Sequence, residues 1–165
     1  MRLTGTDGRS LDLSIIGYQF AGLTGEPGGF DHDANWLVVE GRANDGTRTW
    51  KFRDPCLLTV EARELVAWLE AVAERWRELE ATDFLEPNLE FRRVSAPTEP
   101  PIVRVTFRLE SRPPWAADAY EEDDWDRTWL EFATSAEVLR TAASELRAEL
   151  ERFPQRGFMT GGTCD

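Results

Sequence analysis

The chain has 165 residues, of which 41% are hydrophobic and 11% aromatic, including seven Trp. That length suits one domain around one core, and the composition excludes a disordered chain. Its 31 acidic residues against 19 basic ones give a net charge of −12. A field of that sign repels nucleic acid, whose binding relies on Lys and Arg displacing counterions, and it favours a basic partner.

No apolar run approaches the roughly 20 residues that span a bilayer, and Met1 to Asp7 lacks an apolar secretory segment, so a soluble cytoplasmic protein without membrane contact is expected. Two cysteines, Cys56 and Cys164, fit a reducing compartment better than a disulfide framework.

In chain order, Leu11, Leu13 and Ile15 alternate with polar residues as in a half-buried strand, which Gly17-Tyr18-Gln19-Phe20 extends. Ala21 to Asp31 is a Gly- and Pro-rich loop. Asn35 to Glu40 and Arg48 to Arg53 read as strands of a hairpin turning at Asn44-Asp45-Gly46. Asp54-Pro55 is expected to break the second strand, with Thr59 as N-cap of a helix whose stripe is Leu65, Trp68, Leu69, Val72, Trp76 and Leu79. Leu89 to Phe91 and Val103 to Leu109 alternate as a second hairpin. Arg112 to Asp126 has no regular pattern, Thr128 to Phe132 returns to strand, and a Thr134/Glu137 capping box opens a second helix. That helix carries Leu139, Ala142, Ala143, Leu146, Leu150 and Phe153 on one face and stops at Pro154. The expected fold is α+β: an antiparallel twisted β-sheet with two amphipathic helices packed on it. Residues 1–156 would form the domain and 157–165 a fraying tail.

Little in this pattern points to catalysis. The single histidine, His32, has no companion His or Cys pair to complete a zinc site and reads as a solvated loop residue. There is no Gly-x-Ser-x-Gly elbow, no phosphate-cradling glycine loop and no P-loop Lys, and Cys56 lies in an apolar Cys-Leu-Leu run typical of a core. No metal and no cofactor is expected.

Residues 117–126 hold Asp118, Glu121, Glu122, Asp123, Asp124 and Asp126 with no basic residue, which is half of the net charge. A Ca²⁺ loop wants alternating ligands around a central Gly, and this run has neither. A plain solvated loop and a docking surface for a cationic protein both fit the charge. The interleaved Trp115, Tyr120 and Trp125 favour docking, because aromatic anchors ringed by charge are what interface hot spots need. A different use of exposed Trp36, Trp115 and Trp125 is stacking on a sugar-like ring. Acid–base work by clustered carboxylates is the third class, though contiguous loop carboxylates seldom take distinct environments.

The ordered segments Gly17-Tyr18-Gln19-Phe20, Asn35-Trp36-Leu37, Asp54-Pro55-Cys56-Leu57-Leu58-Thr59, Phe84-Leu85-Glu86-Pro87-Asn88-Leu89, Glu110-Ser111-Arg112-Pro113-Pro114-Trp115 and Phe153-Pro154 resemble the WapI family of bacterial immunity proteins over about residues 11 to 156. The resemblance implies a non-catalytic cytoplasmic antidote to the toxic C-terminal domain of a wall-associated protein delivered in contact-dependent competition, commonly a nuclease. It supplies no toxin-contacting positions. The expected partner-binding set is therefore the one read from charge and aromatics: Trp115, Asp118, Tyr120, Glu121, Glu122, Asp123, Asp124, Trp125 and Asp126.

Overall fold

The computed structural model of the chain describes residues 1–25, 31–74, 81–82, 84–96, 98–116 and 128–157. Within them the fold is α+β, with two antiparallel sheets and helices on one shared core. The first sheet runs β1 (Arg2–Thr4), β2 (Ser10–Tyr18), β3 (Trp36–Asn44), β4 (Thr49–Leu58), in that spatial order. The second is β5 (Leu89–Arg93), β6 (Ile102–Phe107), β7 (Trp129–Ala133). The helices are α1 (His32–Asn35), α2 (Thr59–Ala73) and α3 (Ala136–Arg152).

The alternation seen in the sequence sets the registers. Leu11, Leu13 and Ile15 are buried and pair with Ala43, Gly41 and Val39 across β2 and β3. At the β3–β4 turn, Gly46 has φ +94°, where a side chain would be strained. The Asp45 carboxylate accepts the Thr47 hydroxyl and the backbone N–H groups of Thr47 and Arg48. Those bonds, the hydroxyl's first, hold its pKa down to about 2.

The strand does not break at Asp54-Pro55. It continues to Leu58 because the missing proline N–H falls at a bulge: Leu37 faces Leu57 and Val38 faces Pro55, leaving Cys56 as the extra, buried residue. A second bulge on β2 turns Ile16 outward. β2 ends at Tyr18, with the Gln19 N–H donating to Trp36 O and Phe20 already in the following bend.

Two helix caps also differ from expectation. The N-cap of α2 is Leu58, whose N–H donates to the Glu61 carboxylate at 2.7 Å, while the Thr59 hydroxyl is drawn away to Asn35. In α3 the cap is Ser135, whose hydroxyl accepts from Val138 N–H, and Thr134 is buried beside it. The apolar stripes are as expected: Leu65, Trp68, Leu69 and Val72 of α2 and Leu139, Ala142, Ala143, Leu146 and Leu150 of α3 are buried, whereas Trp76 and Leu79 lie outside the described residues. Strand β6 stops at Phe107, so Leu109 sits in a short 3₁₀ turn.

Aromatic contacts join the layers. Phe107 of β6 meets the Trp50 and Phe52 rings of β4 edge-on, and Phe91 of β5 meets Trp68 of α2. The Phe52 ring lies over its cross-strand partner Gly41: a Cβ there would come within 2.0 Å of the ring. Gly41→Ala must therefore push Phe52 off Phe107, and thermal unfolding should register a loss of about 1–3 kcal/mol.

Candidate functional site

Of the nine residues proposed from sequence, the structure describes Trp115. Asp118, Tyr120, Glu121, Glu122, Asp123, Asp124, Trp125 and Asp126 lie outside the described residues. Trp115 is 42% exposed, yet one end of it is anchored to the core. Its ring meets Trp50 edge-on at 5.7 Å, and the Arg48 guanidinium covers it at 4.1 Å. Trp50 in turn touches Phe107 and donates its indole N–H to Ser111 O at 3.0 Å. A side chain held in this way has little conformational freedom left to lose.

Around it runs an open groove of about 520 Å³ whose lining includes Trp115, Ala116, Thr128 and Trp129. Ala116 and Thr128, both in that lining, are the described residues next in sequence to the acidic segment, which itself lies outside the described residues. Trp129, also 42% exposed, is covered by Arg104, which pairs with Glu131 at 2.6 Å. Trp36 lines a different cleft, so Trp36 and Trp115 do not form one stacking platform.

That second cleft was not singled out by the sequence. About 460 Å³ in volume, it is lined by Gln19, Phe20, Asp33, Trp36, Asp54, Pro55, Glu86, Asn88, Leu109 and Glu110. Its four carboxylates come from α1, β4, the bend before β5 and the 3₁₀ turn after β6, and among the described residues no Lys, Arg or His lines it. The buried Asn88 amide donates to Asp54 at 3.4 Å and to Glu110 at 3.2 Å, a neutral group between two negative ones. Burial, then the nearby charges of Glu110 and Glu86, raise the Asp54 pKa above its ordinary value.

The walls are held from below. Glu61, buried at the start of α2, also accepts the Leu85 N–H and so fixes the loop that presents Glu86. Ser111 donates to Asn88 O and Arg108 O, which pins the turn carrying Leu109, at φ +50°, and Glu110. On the other side, Asn35 is fully buried: its amide donates to the carbonyls of Asp31 and Arg156, and its oxygen accepts from Thr59 Oγ1 and Arg156 N. The Arg156 guanidinium stacks on Tyr18 and donates to the carbonyls of Phe20 and Leu23. Gly25 and Gly157 approach so closely that a Cβ on Gly25 would lie 2.6 Å from the Gly157 backbone.

A carboxyl whose pKa is raised on folding binds its proton more tightly in the native state. Native stability therefore falls as pH rises from its ordinary value, 3.8, through the folded value. Asp54→Asn should accordingly melt modestly higher than the parent at pH 7 and match it at pH 3, as read by thermal denaturation at the two pH values.

Cys56 is buried, and that burial, helped by Asp54, pushes its thiol up to about 12. His32 is exposed at the start of α1 rather than in a loop. Among the described residues no group of three or more His, Cys, Asp or Glu side chains could hold a metal ion, and no helix is long and apolar enough to cross a membrane.

No curated protein and no solved structure matches the chain significantly. A family model does, that of the Immunity protein WapI-like family, over residues 2–154. That span takes in both sheets, the helices, the Trp115 groove and the carboxylate cleft, and the chain belongs to the WapI-like immunity protein family.

Proposed function

We propose that the chain is a non-catalytic immunity protein that neutralises a cognate toxin domain in the cytoplasm by binding it, with the acidic segment and Trp115 as the docking face. Family membership over residues 2–154 is the observation that carries the role. The nuclease class of toxin is favoured by charge: a nuclease presents cations to its phosphate substrate, and a partner of net −12 can meet that surface and mask it. Trp115, held between Arg48 and Trp50, supports the docking face because a held, half-exposed aromatic provides contact area to desolvate.

The test begins with the gene next to this one. A large repeat protein with a short C-terminal domain should be encoded there, and that domain, mixed with the full chain, should elute with it as one complex on size exclusion. Separate elution at micromolar concentrations of both would reject the reading.

A further inference from the structure

The Trp115 face leaves the second cleft unexplained. Its lining sets exposed apolar groups, Phe20 and Leu109 at 42% each, beside four carboxylates, of which Asp33 and Glu110 are exposed and Asp54 and Glu86 half-buried. Apolar surface beside convergent charged groups suits recognition, the one giving contact area and the other orientation. Among the described residues no cation pairs with Asp33, Asp54, Glu86 or Glu110; the hydrogen bonds that reach them come from the Asn88 amide. These carboxylates thus gather negative charge with no countercharge among the described residues.

We propose that this cleft receives an arginine side chain of the partner. A guanidinium is flat, carries five donors and stacks on aromatic faces, so it can pair with Asp54 and Glu110 while lying against Phe20 and Trp36. An ammonium would use the carboxylates but not the rings. This deepens the toxin-binding reading and rests on it for the identity of the partner. One short segment links the two surfaces, since Glu110 faces the cleft and Trp115 the other groove, and Ser111 between them is bonded to both walls. A partner spanning that segment would reach both.

Two probes of the full chain separate the ideas. The first is N-acetyl-arginine amide, titrated at constant ionic strength with the neutral isostere N-acetyl-citrulline amide as control and NMR as readout. Saturable shifts of the Asn88 side-chain amide and Trp36 indole are expected in the millimolar range with arginine alone, at least tenfold weaker in Asp54→Asn/Glu110→Gln. Equal shifts with citrulline, saturation by Ca²⁺ or Mg²⁺ in place of arginine, or concentration-dependent dimerisation abolished by the same double substitution would overturn the proposal. The second probe is the C-terminal toxin domain encoded next door, expected to bind the double variant at least tenfold more weakly. Unchanged affinity in that variant would overturn the cleft while leaving the immunity role intact; a toxin domain that ignores the parent chain would reject the immunity role, whatever arginine does.

Discussion

Asn35→Ala is expected to lower stability by about 4 kcal/mol, far more than its small apolar area would imply. The side chain makes four hydrogen bonds in a site closed to water, to Asp31, Thr59 and twice to Arg156. Truncation orphans two carbonyls, a hydroxyl and an N–H, and each buried group left unmatched costs roughly 1–3 kcal/mol before relaxation. For a chain of this size the melting temperature should fall by roughly 10 °C. Asn35→Asp keeps the two acceptor bonds but points a buried carboxylate at carbonyl oxygens. It should be destabilising at pH 7 and recover toward pH 4, where the protonated acid can donate again. The effect should reach the cleft as well, because Trp36 follows Asn35 and Arg156 grips the carbonyl of Phe20. A fall of only a degree or two in both variants would show that the Asn35 network is dispensable.

Replacing Asp123, Asp124 and Asp126 by Lys should slow association with the toxin domain about tenfold at low salt, with little change in dissociation. Charge at a rim steers encounter and is screened beyond a Debye length of roughly 10 Å at 0.1 M salt, so parent and variant should converge as salt rises. Trp115→Ala should do the reverse, raising the dissociation rate roughly tenfold or more with association nearly untouched, as for a packed aromatic anchor. Stopped-flow association across a salt series separates the two. Parallel salt dependences for parent and triple variant would take the acidic segment out of the interface.

Much of the fold was legible because local pattern and burial agree. The Leu65/Trp68/Leu69/Val72 stripe, the alternation of Leu11 to Ile15 and the Asp45-Gly46 turn each encode their own geometry over a few residues. Misreadings came where tertiary partners outbid local chemistry. Pro55 continues β4 because a bulge absorbs its missing donor, and Thr59 leaves the cap position because Asn35 takes its hydroxyl. Two hydroxyl residues in a row, Thr134 and Ser135, made the α3 cap ambiguous by one position. The division into two sheets depends on contacts such as Trp50 with Phe107, which no local pattern announces.

The candidate sites divide the same way. Residues 117–126 stood out because the charges are contiguous, and Trp115 because it adjoins them. Asp33, Asp54, Glu86 and Glu110 come from four separate segments, each unremarkable alone, and only folding gathers them. A signal was nevertheless present: the segments holding Asp54, Glu86 and Glu110 are among those that carry the family resemblance, and each sets an acidic residue among apolar and proline positions.

The claim on which the account turns is stoichiometric: the chain disables a toxin by occupying it. Titrating the full chain into a fixed amount of the toxin domain, well above their dissociation constant, and following toxin activity tests this most directly. Activity should fall linearly to zero at an equimolar endpoint and return in full when the two are separated under denaturing conditions and the toxin refolded. Inhibition by far less than one equivalent, or a toxin left permanently altered after separation, would mean that the chain acts by catalysis and would contradict the account.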